Sequence, residues 1–223
     1  MIRNEAITEI SDGRFYTAND EAPLGCNECE GCSACCRDMG DSVILDPLDL
    51  CRITLGLGKT FRELLENELE IAEIDNIALP HLNMDGATHA CRFLNDAGRC
   101  SIHPFRPGIC RLFPLGRYYE NGSFRYILQT GECRKENRTN VKIADWLATE
   151  DLKKYEFFTN NWHSFIRKVG AVSPRLTEES RNRMYMQILT VFYDEPYSKN
   201  ADFYSQYVER MRRIMSSPLG AIL

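Results

Sequence analysis

Ten cysteines in a chain of 223 residues are the side chains whose type and spacing point to chemistry. All ten lie between Cys26 and Cys133, and five of them fall within residues 26–36. The first block runs Cys26-x2-Cys29-x2-Cys32-x2-Cys35-Cys36. A spacing of two lets one tight loop aim successive sulfurs at a common point. Iron–sulfur clusters use C-x2-C-x2-C runs completed by a distant cysteine, and zinc sites use C-x2-C knuckles in pairs. The run therefore signals a metal without choosing it. Cys35 and Cys36 are adjacent, and neighbours in extended backbone point to opposite sides. They are expected not to serve one site equivalently. Either one ligates while the other packs, or they serve two centres. The second block, Cys91-x8-Cys100-x9-Cys110-x22-Cys133, supplies further ligands. Cys51 stands apart beside Leu48 and Leu55 at helical spacing and is assigned to the core. The remaining nine suffice for two four-ligand sites with one left over.

Thiols rather than disulfides are expected. Disulfide frameworks belong to short secreted chains, and Met1-Ile2-Arg3-Asn4-Glu5 lacks the apolar stretch of a secretory signal. A reducing, cytoplasmic setting follows as an expectation. No apolar run approaches the ~18 residues of a membrane span, so no membrane partner is expected. A net charge of −5 argues against nucleic acid. A protein partner is expected, its identity open.

Charge is distributed in a way that suits a thiolate centre. Residues 21–90 carry 14 acidic and four basic side chains, whereas 91–130 carry six basic and two acidic ones. Arg92, Arg99, Arg106, Arg111 and Arg117 interleave the second cysteine block. A four-iron cluster with four thiolates carries about −2 by formal valence, and guanidinium donors stabilise such charge. Arg92, Arg106 and Arg111 are the candidate cofactor-binding arginines. Any one of them taken alone reads as a solvated surface charge; it is the five together that point as readily to a site. His103 lies between Cys100 and Cys110 and is assigned a supporting or turn role, because sulfur is already plentiful. His81, His89 and His163 carry no pattern.

Several elements must position these groups. Residues 1–25 are polar and expected to be a weakly structured arm. Val43-Ile44-Leu45 suggests a short strand. Asp46 as N-cap, Pro47 at the first turn and Asp49 start a helix that Gly56 and Gly58 end. Thr60 and Glu63 form a capping box for a second helix, with Phe61, Leu64, Leu65 and Leu69 on one face. From 77 to 130 short strands and turns are expected, with Asn95–Gly98 joining 91–94 to 99–102. Asn121-Gly122 is a strong hairpin signal between 117–120 and 123–126. After 141 the chain is helical: Tyr155, Phe158, Trp162, Phe165, Ile166 and Val169 form one stripe, and Tyr204, Tyr207, Val208, Met211 and Met215 another, with Met184, Tyr185, Ile188 and Phe192 between. The loop-rich 26–133 region shows little apolar pattern, so metal ligation is expected to supply much of its folding energy.

Cys29-x2-Cys32-x2-Cys35-Cys36, Cys91-Arg92-Phe93-Leu94, Gly98-Arg99-Cys100-Ser101-Ile102-His103, Arg106-Pro107-x2-Cys110-Arg111 and Phe113-Pro114 together resemble the YkgJ-type, or CxxCxxCC, zinc- or iron-chelating family. The resemblance implies that Cys29, Cys32, Cys35, Cys36, Cys91, Cys100, Cys110 and Cys133 are the chelating set, with Cys26 an extra cysteine. That family includes flagellin lysine N-methylases, which are longer and share only the cysteine module with this chain.

The expected fold is α+β: an N-terminal arm at 1–25, a metal-organised cysteine module at 26–140, and a helical extension at 141–223 packed on it. The expected metal ligands are Cys26, Cys29, Cys32, Cys35, Cys36, Cys91, Cys100, Cys110 and Cys133. The expected cofactor is one or two iron–sulfur clusters of the four-iron type, for electron transfer or redox-linked chemistry. The alternatives are a structural zinc module for protein interaction and a lysine-methylating enzyme.

Overall fold

A computed structural model describes residues 7–26, 30 and 32–223. The fold is α+β, built among the described residues from helices and three separate antiparallel strand pairs. After a short helix α1 (Ile7–Ile10), strand β1 (Glu21–Gly25) leads into the cysteine block. Helices α2 (Pro47–Leu57) and α3 (Phe61–Leu64) precede the hairpin β2 (Leu69–Ile74) and β3 (Ile77–Leu82). Helix α4 (Gly108–Leu112), the hairpin β4 (Leu115–Glu120) and β5 (Ser123–Leu128), and strand β6 (Thr139–Lys142) follow. Helices α5 (Ile143–Leu147), α6 (Leu152–Val172), α7 (Glu178–Leu189) and α8 (Phe203–Met215) complete the chain.

Residues 7–25 are not a loose arm. Strand β1 pairs antiparallel with β6, from Glu21 opposite Lys142 to Gly25 opposite Thr139. Ala22 and Leu24 sit in the core, and Tyr16 bridges Tyr126 on β5. The alternation that buries Ala22 and Leu24 spans too few residues to outweigh the polar sequence around it.

Local signals set the helix starts. Asp46 and Asp49 form a reciprocal capping box on α2, and Gly58 closes that helix in the left-handed region. Leu48 and Cys51 are buried, but Leu55, expected beside them, is 46% exposed; Leu50 and Ile53 complete the inner face. Thr60 and Glu63 likewise cap α3, but only one turn forms. Leu69, expected on its face, instead opens β2 and is buried there. The β2–β3 turn uses Asp75 and Asn76, both at positive φ. Asn121 and Gly122 do the same between β4 and β5, the conformation a two-residue hairpin turn demands. Val43–Leu45 makes only a bridge, Ile44 to His81. Residues 91–102 make a turn closed by a single Leu94–Cys100 bridge rather than a full hairpin.

One continuous core joins the cysteine-bearing half to the helices. Val43, Leu45, Leu50, Leu79 and Ile102 share it with Phe158, Trp162, Phe192 and Ile214. Tyr193 donates its hydroxyl to Leu45 O at 2.9 Å, and Tyr185 donates to Asn76 O at 2.7 Å. On α8 the buried positions are Tyr207, Arg210 and Ile214, whereas Val208 and Met215, expected on the inner face, are exposed. Arg210 explains the rotation: it donates to Val191 O, Glu195 O and Pro196 O and lies 3.6 Å over the Tyr197 ring. A buried guanidinium thus closes the π-helical segment Thr190–Asp194 that continues α7. Among the described residues, no helix is long and apolar enough to cross a membrane.

Candidate metal centre

Four segments bring thiols to one cavity. The first is Cys32 with the 3-10 turn Ala34–Cys36, the second is Cys91, the third is Cys100 beyond the Asn95–Gly98 turn, and the fourth is α4 with Cys110. Cys32, Cys35, Cys36, Cys91, Cys100 and Cys110 all line it. Backbone pairing sets the first contact. Cys91 N donates to Cys36 O at 2.8 Å, and Asp38 N donates to His89 O at 2.8 Å. That short antiparallel exchange lays the first block against the second. The turn is closed by Gly98 N donating to Asn95 O and Asn95 N to Arg99 O, which returns Cys100 towards Cys91.

Cys35 and Cys36 line the same cavity, contrary to the expectation that they point apart. Their backbone is a 3-10 turn and not a strand, so successive side chains differ by about 120° rather than 180°. The Cys36 thiol beside it, together with burial, pushes the Cys35 thiol far above its ordinary range. Burial also raises Cys91, Cys100 and Cys110; for Cys110 the charges of Asp49, Cys91, Cys35 and Cys100 add to it. Each thiolate penalises the others. Such a set favours neutral thiols until a cation joins it, and a coordinated metal ion deprotonates a thiol outright. The donor chemistry therefore fits a thiophilic metal. Among the described residues, no three Cys, His, Asp or Glu side chains stand close enough together to hold a single ion.

The remaining walls are apolar apart from one basic edge. Met39, Val43, Leu82, Met84, Phe93, Ile102 and Phe113 supply the apolar part, and Arg99, His103 and Arg106 the basic edge. Arg106 acts favourably on both the Cys35 and Cys100 thiolates. Its Nη1 lies 2.6 Å from His103 Nε2, so the imidazole accepts there and carries its proton on Nδ1. His103 thus holds Arg106 at the cavity edge. Pro107, next in sequence, keeps Arg106 extended. Helix α2 backs this segment at Gly56, where a Cβ would come within 2.7 Å of the Phe105 ring.

Not every expected residue is here. Cys29 lies outside the described residues. Cys26, at the end of β1, and Cys133, in the loop before β6, do not line the cavity. Arg92 is paired with Asp85 at 2.7 Å, away from the thiols. Arg111 is buried behind α4, donating to Leu147 O and facing the Tyr155 ring. Of the five interleaved arginines only Arg99 and Arg106 reach the cavity, and Arg99 is not among the three expected cofactor contacts. The available signal was its place between the Gly98 turn and Cys100. Cys51 is buried in the core, off the cavity, as its helical neighbours predicted.

No curated protein and no solved structure matches the chain. A family model does match, and it spans the cysteine-bearing segments that build the cavity. It supports a metal-binding role. Residues 28–138 of this chain belong to the CxxCxxCC family, described as a putative zinc- or iron-chelating domain.

Proposed function

We propose that the cavity holds an iron–sulfur cluster of the four-iron type and that the protein serves electron transfer or redox-linked chemistry. One observation carries this: among the described residues, six thiols from four segments line a single cavity, more sulfur than one zinc ion takes. A four-iron cluster takes four thiolates and tolerates an apolar surround. When bound, such a cluster supplies one-electron chemistry.

The chain's own residues have three tasks. Cys35, Cys91, Cys100 and Cys110 come from the four segments and bear on one another electrostatically, and are the first candidates for ligation. Arg106, held by His103, offsets thiolate charge at Cys35 and Cys100. Met39, Met84, Phe93 and Phe113 limit the access of water.

Iron and acid-labile sulfide analysis of anaerobically purified protein is the test. The expected protein is brown, absorbs broadly near ~400 nm and bleaches on reduction. A colourless protein carrying stoichiometric zinc overturns the proposal.

A further inference from the structure

Asp49 does more than start its own helix. A carboxylate at the third position of a capping box ordinarily sits in solvent, yet Asp49 is only 2% exposed. Its Oδ2 accepts the Asp46 amide at 3.1 Å and completes the box on α2. Its Oδ1 accepts the amide of Gly108 at 2.6 Å. Gly108 is the first residue of α4, and the N-cap position there is Pro107, whose side chain accepts nothing. The first amides of a helix have no partner within it. Asp49 supplies that partner from 59 residues away.

Space is tight at this contact. A Cβ on Gly108 would lie 3.4 Å from Asp49 Oδ1 and 3.2 Å from the Tyr155 hydroxyl. Glycine lets the carboxylate approach the backbone. Cys110 follows two residues later on the same short turn and faces the cavity. Arg111, on the next position, anchors the far side of the turn to Leu147 O at 3.3 Å.

We infer that Asp49 is a positioning residue for the metal centre: it caps α2 and α4 together and thereby fixes where Cys110 presents its sulfur. The metal part of this rests on the function proposed above; the capping part does not.

The test compares Asp49→Ala, Asp49→Asn and Asp46→Ala in the full chain. Asp46→Ala strips the α2 cap but leaves the Asp49–Gly108 bond. Each protein is loaded anaerobically with iron and sulfide, or with zinc in a parallel arm, and challenged with EDTA. Asp49→Ala is expected to lose metal at least about tenfold faster than the parent, the usual scale for a residue that orients a ligand. Asp46→Ala is expected to stay within about twofold of the parent, although it too loses thermal stability. In metal-free chain, amide exchange at residues 108–112 is expected to accelerate in Asp49→Ala and not in Asp46→Ala. Asp49→Asn keeps one acceptor oxygen and is expected to fall between; it carries the comparison if the alanine variant does not fold. Equal metal loss from the Asp49 and Asp46 variants, or unchanged exchange at 108–112, overturns the inference. A parent chain that takes up neither metal defeats the proposed metal centre, and the exchange comparison then still decides the capping role.

Discussion

Cys51 and Cys110 offer a matched pair of serine substitutions. Cys51 is 5% exposed on the inner face of α2, where burial raises its thiol to about 11. Cys110 faces Cys35, Cys91 and Cys100. For Cys51→Ser the cost is that of a hydroxyl in an apolar site, ~1–3 kcal/mol. A helical hydroxyl can donate to the carbonyl four residues back, as Thr54 already does to Leu50 O at 2.9 Å in the same helix. That compensation brings the figure to about 1–2 kcal/mol. For a chain of this length, each kcal/mol moves the melting temperature by about 2–4 °C, so a fall of roughly 2–8 °C is expected with metal content unchanged. Cys110→Ser should carry a packing cost of similar size in metal-free protein, but serine is a poor ligand for soft metals at neutral pH. Its metal content is expected to fall below half. Metal per chain on anaerobically loaded protein, beside thermal melts with and without metal, makes the measurement. Full metal retention by Cys110→Ser, or its loss from Cys51→Ser, refutes the placement of the centre.

Three further outcomes are expected. His163 stacks on Tyr119 at 3.5 Å, and burial holds its imidazole down to about 4, below the ordinary 6.5. The unfolded chain therefore takes the proton first, so this contribution is present above pH 6.5 and is lost as pH falls towards 4. Discounted for the partial exposure of the ring, the loss between pH 7 and 5 is on the order of 1 kcal/mol; urea unfolding of the parent and of His163→Gln should diverge by that amount, and parallel curves would count against it. Arg106→Gln should retain its fold and release metal to a chelator about tenfold faster; unchanged release removes Arg106 from the centre. Metal removal should raise hydrogen exchange at residues 32–42 and 84–110 while α2 and β2–β3 stay protected, because the latter are seated in the core shared with α6 and α7. Uniform loss of protection from 26 to 133 would instead favour ligation as the main source of folding energy there.

Chemistry was legible in the sequence where it depends on spacing along the chain. The C-x2-C run, the second cysteine block and the arginines between its cysteines marked the metal module, because ligand type and local spacing decide what a loop can coordinate. Capping boxes at Asp46–Asp49 and Thr60–Glu63, and the Asn121-Gly122 turn, were equally plain, since each is satisfied within four residues. What the sequence could not decide required contacts between distant segments. That Cys35 and Cys36 share a cavity depends on a 3-10 turn held against residues 89–91. That Arg99 and Arg106 reach the thiols while Arg92 and Arg111 do not depends on Asp85 and on α5. Residues 16–25 looked like a polar arm because their partners, Tyr126 and 139–142, lie more than a hundred residues away. Asp49 carries the same lesson: its sequence neighbours announce a cap for α2, and only the tertiary fold brings Gly108 to its second oxygen. Patterns satisfied by neighbours can be read in one dimension, whereas a buried polar group's partner is chosen by whatever the packed chain places beside it.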